Sequence, residues 1–349
     1  MPETIYINDD GFIESTPTYL FDYSDLYKAE PIEAGLKWFA EAHYGLSVGF
    51  GLFSLIGHGY DTMVKDNFSH ELYSALKEKF TAEHFDTMDL VEFAIANGMR
   101  YIDFNVCAPD GFCLWNSSAS PYNSFNSPAE RDLLAEVASV CEYHGVGLCL
   151  TYSHGKNWQH PHSPQSKAAT PEGGANLQIY KEYVAAQIHE LLTQYGPIAA
   201  ICLDGLDSAR TVGPDDFECL DLYNMIHSLQ PQTLVSYQQG FTGEEDFFTI
   251  EENLPESDAP AEVQGFVNQQ MNKPVQVRTS LTPGFLGYNP ELAGKHLKTQ
   301  DVWELLRQAG QRHYNFLPHI CLMPDGSIDL EDMNTLLEVG KRIEKNGYP

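Results

Sequence analysis

Residues 198–206 read IAAICLDGL, six apolar residues followed by a carboxylate, a glycine and a leucine. A run this short and this apolar is a strand buried on both faces, as in a parallel sheet. Just upstream, Leu177–Tyr195 has the spacing of an amphipathic helix and stops at Gly196-Pro197, a C-cap followed by a breaker. The same pairing recurs along the chain. Strand-like runs fall at Gly45–Leu55, Met99–Val106, Gly145–Tyr152, Ala199–Leu206, Thr233–Gln239, Val275–Leu281 and His313–Ile320. A helix is expected to start at Ser127-Pro128 and to bury Leu133, Leu134, Val137 and Val140, and Val302–Gln311 and Leu330–Lys345 read as two more. Strands alternating with helices imply βαβ units and a parallel sheet. Seven runs fit a single-domain α/β fold, a (β/α) TIM-like barrel closed fully or imperfectly, better than an open sheet. The polar, proline-bearing stretch Glu251–Pro274 reads as a long loop after one strand.

Composition narrows the function. The chain has 349 residues, 43% hydrophobic, with 20 basic against 49 acidic side chains and a formal charge of -29. Such a surface repels phosphate backbones and anionic headgroups, so neither nucleic acid nor membrane is an expected partner. Seven cysteines, mostly inside apolar runs such as Cys149, Cys202 and Cys321, read as small core hydrophobes. The opening MPETIYINDDGF has neither a basic nor an apolar leader region, and no run reaches about 18 apolar residues. The expectation is a soluble, cytoplasmic protein, with a trimmed secreted or periplasmic one left open.

Barrel enzymes place their chemistry at the C-terminal ends of strands. Here those ends carry His58, Asp110, Tyr152 with His154, Asp204, Gln238 and the pair Gln276 and Arg278. Asp204 closes an apolar strand beside a glycine that would let a ligand approach. The alternative is an aspartate that caps the following turn. A second carboxyl group could come from GEEDFFTIEEN, which offers Glu244, Glu245, Asp246, Glu251 and Glu252. In YSHGKNWQHPH, His154, His160 and His162 match no zinc spacing, so no metal is expected, and Trp158 among them suits the apolar face of a sugar as well as plain packing.

From about Leu36 onward the chain resembles the α-L-fucosidases of glycoside hydrolase family 29. LKWFAEAHYGL with GLFSL is similar to the opening strand of that family, and FTAEHFDTMDLVEFAIANGMRYIDF to its next helix and strand. PDGFCLW resembles the His-His-Asp-Gly-Phe-x-Leu-Trp signature, which brings in Asp110 and Trp115, and HELLTQYGPIAAICLDG and NFLPHICLMPDGSI follow in family order. The resemblance implies residues 1–35 as an extension packing on the barrel and 36–349 as the catalytic barrel. It implies a retaining exo-glycosidase acting on an α-L-fucoside or a related α-L-sugar such as an α-L-galactoside, without metal or organic cofactor. The partner is then an oligosaccharide or glycoside, and a homo-oligomer stays open.

Position by position, Asp204 falls on the family nucleophile. One group of members has its acid/base glutamate in a segment resembling DFFTIE, which selects Glu251, with Glu245 second. Others use the position of Gln276, where an amide cannot exchange a proton as a carboxyl does. His58, Asp110, Trp115, Tyr152, His154, Trp158, Gln238, Glu245, Gln276 and Arg278 are the expected sugar-binding set. Three family histidines are missing, replaced by Gly49, Ala108 and Pro109. Each lost hydrogen bond would weaken the grip on fucose by about 0.5–1.5 kcal/mol. Either His58, His70 or His154 takes over for a different sugar, or the chain is a catalytically impaired carbohydrate-binding descendant.

Overall fold

The computed structural model describes residues 15–169, 171–251 and 273–349. Among them eight strands form one parallel sheet: β1 (Gly45–Gly49), β2 (Tyr101–Cys107), β3 (Gly147–Ser153), β4 (Ala200–Asp204), β5 (Leu234–Tyr237), β6 (Phe248–Glu251), β7 (Val275–Ser280) and β8 (Asn315–Cys321). Their order is β5-β4-β3-β2-β1-β8-β7-β6, so the sheet curls into a barrel whose two end strands, β5 and β6, form no ladder. That seam is stitched singly. The Thr249 N–H donates to the Gln238 carbonyl at 2.8 Å, the Asp246 N–H to the Val235 carbonyl at 2.8 Å, and the Ser236 and Thr249 hydroxyls meet at 3.3 Å.

Among the described residues seven longer helices accompany the strands: α1 (Pro31–Ala40), α2 (Thr87–Ala96), α3 (Leu133–His144), α4 (Leu177–Gln194), α5 (Cys219–Leu229), α6 (Thr299–Gln311) and α7 (Leu330–Asn346). None among the described residues is long and apolar enough to cross a membrane. All seven cysteines are buried and unpaired.

The structure corrects the sequence reading in three places. Seven strands were expected and eight form. The extra one, β6, lies in GEEDFFTIEEN and ends where the expected loop begins, too short at four residues to show a period. The first run does not continue to Leu55, because β1 stops at Gly49 and Leu52–Ile56 turns helical. The helix expected from Ser127 begins only at Leu133, where the Asp132 carboxylate caps it by accepting from the Ala135 N–H at 2.9 Å. The Ser127 hydroxyl instead donates to the Ser124 carbonyl at 2.6 Å, holding a turn before the helix. The division at residues 35/36 falls inside α1. Of the loop expected over Glu251–Pro274, residues 252–272, with Glu252, lie outside the described residues.

Strand alternation sorts the side chains. Leu46, Val48, Ile102, Phe104, Leu148, Leu150, Ile201 and Leu203 point outward and join Val91, Val137, Ile188, Ile226 and Leu336 of the helices in the main core. The inward set changes with height. At the N-terminal end Tyr101, Cys149, Ala200, Leu234, Phe247 and Leu317 close around Trp38 and Phe39 of α1, an apolar plug in which each buried aromatic contributes about 1.5–3 kcal/mol. Above it the interior turns polar, with Ser47, Asp103, Thr151, Ser236, Thr249, Arg278 and His319 all buried.

Candidate active site

Arg278 is the hub of this polar interior. It rises from β7 with its guanidinium forked onto Glu251 of β6, Nη2 to Oε1 at 2.6 Å and Nε to Oε2 at 3.1 Å. Its Nη1 lies 3.6 Å from Oδ2 of Asp103 on β2. Asp103 also accepts the Thr151 hydroxyl at 2.7 Å and the Ser47 hydroxyl at 3.2 Å, so three donors from three strands converge on it. Arg278 and Asp103 are almost wholly shut from solvent, while the Glu251 side chain keeps 19% exposure. Burial raises the Glu251 pKa, against the charge and hydrogen bonds of Arg278, with Asp204 and Asp103 adding to the rise. Burial likewise raises Asp103 against Arg278, Thr151 and Ser47. For Arg278 burial works against the charge, yet the three carboxylates hold the guanidinium well above its ordinary pKa.

Asp204 ends β4 half-buried, in register with Ser153, and its Oδ1 accepts the Gly205 N–H at 2.6 Å. Its carbonyl takes the N–H groups of His154 and Gly155. Gly205, expected to admit a ligand, also has a backbone task. Its φ is +87°, and its carbonyl lies 2.0 Å from where a Cβ on Gly155 would stand.

Gly49, at the top of β1, leaves no empty pocket where a side chain is missing. A Cβ there would sit 2.1 Å from the Tyr60 hydroxyl and 2.8 Å from the Cys321 sulfur. Tyr60 fills the space, packed with Phe53, Ala108 and Cys321, and its hydroxyl lies 3.1 Å from His319 Nε2.

The remaining expected residues divide by which face they occupy. Gln238 is at the rim near Asp204, its Oε1 accepting the Leu206 N–H at 2.8 Å. Gln276 faces inward but one layer too low, between the Tyr101 hydroxyl and Thr249. Tyr152 faces outward and donates to Gln187 of α4 at 2.7 Å. His154 also leaves the barrel, bonding the Tyr237 hydroxyl at 2.9 Å and lining a cavity of about 180 Å3 between α4 and α5, and burial lowers its pKa to about 4. Asp110 is buried under its loop, accepting the Tyr73 hydroxyl and the Phe112 N–H, and burial pushes it up to about 6 against those bonds. The Trp115 indole donates to Glu190 at 3.0 Å, and Trp158 is buried with its backbone N–H on the Pro109 carbonyl. Glu245 is fully buried and caps a turn, accepting the N–H groups of Phe241, Thr242 and Gly243 and the Tyr223 hydroxyl. His58 is on the surface, paired with Asp66 at 2.7 Å. Among the described residues neither His58, His70 nor His154 has a side-chain hydrogen bond to Asp204, Glu251 or Arg278.

Sequence reasoning missed Asp103, His319, Ser47 and Tyr60. The first could have been found, since YIDFNV alternates polar and apolar residues where a strand buried on both faces should not. No group of three or more His, Cys, Asp and Glu among the described residues is arranged to hold a metal ion.

Comparison with known proteins agrees with this architecture. A family model described as Alpha-L-fucosidase matches residues 21–348. Alpha-L-fucosidase 1 of Arabidopsis thaliana is 30% identical over 166 residues, 46% of this chain and 30% of that protein, so the chain matches under a third of its length. Tissue alpha-L-fucosidase of Mus musculus is 23% identical over 337 residues, 89% of this chain and 70% of that one. Among solved structures, alpha-L-fucosidase isoenzyme 1 from Paenibacillus thiaminolyticus superposes with a TM-score of 0.80 at 24% identity, covering 91% of this chain and 77% of its own. An alpha-L-fucosidase from Lactobacillus casei in complex with alpha-L-fucose product gives 0.75 at 20% identity, covering 89% and 98%. At these identities the structural likeness speaks for the fold.

Proposed function

The chain belongs to the alpha-L-fucosidase family, and on that premise we propose that it is a retaining exo-glycoside hydrolase acting on an α-L-fucoside or a related α-L-sugar such as an α-L-galactoside. One observation carries the reading: two carboxyl groups, Asp103 and Glu251, share one buried guanidinium, and Glu251 and Asp204 both end strands at the mouth. Burial raises both Asp103 and Glu251 despite that guanidinium, which favours a proton held by one of the two. Asp103 is sealed from solvent, with one hydroxyl donating to each of its oxygens. Glu251, raised and partly exposed, is therefore the group to carry that proton.

In the first step an Asp204 oxygen attacks the anomeric carbon as the glycosidic C–O bond breaks and the Glu251 proton passes to the leaving oxygen. In the second, Glu251 takes a proton from water, whose oxygen attacks the same carbon and releases Asp204. Asp103 keeps Arg278 in place while the Arg278–Glu251 fork opens and closes. The glycone is not fucose held in the family's usual way, because Gly49, Ala108 and Pro109 stand where gripping histidines would.

A second reading, a catalytically impaired sugar-binding descendant, draws on Tyr60 filling the space beside Gly49 and on both Glu251 oxygens being bound to Arg278. A panel of aryl α- and β-glycosides decides between them, with the first-formed anomer followed by NMR. Retention with an α-L-glycoside is expected, and an inverted product would sink the double displacement. A wild type that binds sugars yet turns over nothing in the panel would establish the second reading.

A further inference from the structure

The cavity of about 180 Å3 between α4 and α5 lies outside the barrel. Its floor is the buried pair His154 and Phe217, whose rings lie 4.7 Å apart. Its walls are apolar, with Val184 and Ala185 from α4 facing Leu222 and Met225 from α5. The charged lining residues stay at the rim, where the Lys181 ammonium meets the Glu218 carboxylate at 2.7 Å and Asp221 is exposed. The result is an apolar cleft with one polar side chain at its floor.

That side chain is only half satisfied. His154 is 2% exposed, and its Nδ1 is taken by the Tyr237 hydroxyl at 2.9 Å. Its Nε2 has no hydrogen-bond partner among the described residues, yet it is not sealed as Nε2 of His70 is, so it opens on the cavity that His154 lines. Burial keeps the ring neutral, with one N–H to place. With the Tyr237 hydroxyl donating to Nδ1, Nε2 carries the N–H; with Nδ1 donating, Nε2 accepts. A hydroxyl suits both states, because it gives one hydrogen bond and takes others. Water suits the floor less well, since a buried water makes about three hydrogen bonds and the floor has one polar side chain.

The walls set the body of the ligand. A dry cavity of about 150 Å3 holds one benzene ring, so about 180 Å3 holds one ring with a small substituent. The Phe217 ring and the Met225 thioether both favour an aromatic body over an alkyl one. An anion is disfavoured, because the rim sets the carboxylates of Glu218 and Asp221 against the single ammonium of Lys181. We propose that this cavity is a second binding site, which takes a neutral single-ring phenol with its ring against Phe217 and Met225 and its hydroxyl on His154 Nε2. The site is separate from the barrel mouth and stands whether or not the mouth cleaves glycosides. It does share a framework with the mouth, because the His154 and Gly155 N–H groups hold the Asp204 carbonyl.

Titration calorimetry of the full chain with phenol, and with toluene as the same shape lacking the hydroxyl, tests the proposal. Phenol should bind one to one with a Kd of about 0.1–1 mM, the range open to so small a ligand. Ala185→Phe, which a helix tolerates, fills the cavity from the α4 wall and should weaken phenol at least about tenfold. His154→Phe keeps a ring at the floor and removes its nitrogens, so phenol should lose about 3- to 10-fold more affinity than toluene does. No phenol binding at about 10 mM, binding that survives Ala185→Phe, or equal losses of phenol and toluene in His154→Phe overturn the proposal. If His154→Phe does not fold, the imidazole nitrogen spectrum of wild type near pH 7 decides. Phenol should shift the His154 Nε2 resonance further than toluene does, and a shift no larger than that from toluene ends the inference.

Discussion

Replacing Arg278 with methionine removes the one cation from a buried group of carboxyls while keeping an apolar stem of similar length. Asp103 and Glu251, at 1% and 19% side-chain exposure, would be left without their counter-ion. Stranding a buried charge in this way costs about 3–5 kcal/mol. Unfolding 349 residues at roughly 2.1 cal/mol/K each gives about 0.7 kcal/mol/K, so the melting temperature should fall by about 4–7 °C near neutral pH. The loss should depend on pH with a definite sign. Both carboxyls already have folded pKa values above their ordinary ones. Their favourable contribution is therefore complete below about pH 4 and is lost as pH rises through the folded values. Without Arg278 those values rise further, so the deficit of the variant should be small near pH 4 and grow toward pH 7. Scanning calorimetry of both proteins at three pH values reads this directly. A deficit that is the same at every pH, or under about 1 °C at pH 7, would refute the account of Arg278 as the charge-balancing hub.

Asp204→Asn should abolish turnover of any glycoside the wild type cleaves while leaving the melting temperature within about 1–2 °C, because the amide can keep the Gly205 bond; full residual activity would end the nucleophile assignment. Glu251→Ala should slow the second step, with azide restoring part of the rate by replacing water. Glu245→Gln should instead act on stability, by about 2 kcal/mol or more, since an amide nitrogen would face the donors now held by its carboxylate. Burial raises Glu245, but the N–H groups of Thr242 and Phe241 outweigh it and leave its pKa low, so its contribution is present above about pH 4 and lost as pH falls; azide rescue of Glu245→Ala would contradict this. His154, lowered to about 4 by burial, holds stability that is complete above about pH 6.5 and lost toward pH 4, about 3 kcal/mol in all. His154→Asn should flatten that slope in acid melts without changing glycoside hydrolysis.

Much of the barrel was legible because strands buried on both faces are written as dense apolar runs, and Asp204 stood out as the charge that ends one. β6 was not legible. Its four residues, Phe248–Glu251, lie between acidic neighbours, and its place is fixed by β7 through the pairing of Glu251 with Arg278 rather than by its own pattern. The site was half legible for a geometric reason. Position at a strand end can be read from sequence, but the face a side chain takes depends on register. Ser153 pairs with Asp204 and Tyr152, one residue earlier, pairs with Leu203 on the outward face, while Gln276 shares the face of Arg278 one layer down. The alternation in YIDFNV marked Asp103 as unusual but not its role, and His319 carried no such mark, because a polar residue in a strand is explained only by partners on other strands, here Ser47, Thr151 and Arg278.

The unlaced junction between β5 and β6 makes the barrel a collar with a clasp. Glu251 rides on one lip, and Asp204 hangs one strand behind the other. The gap between a nucleophile and its proton donor selects between retention and inversion within a few ångströms. On the proposed mechanism the gap between Asp204 and Glu251 is set across the clasp by single bonds, and Gln238 is its pin. Its carbonyl holds Thr249, next but one to Glu251, while its side chain holds Leu206, two residues past Asp204. One glutamine thus ties both halves of the chemistry to a common point, and loosening it would let the collar spread with every strand intact.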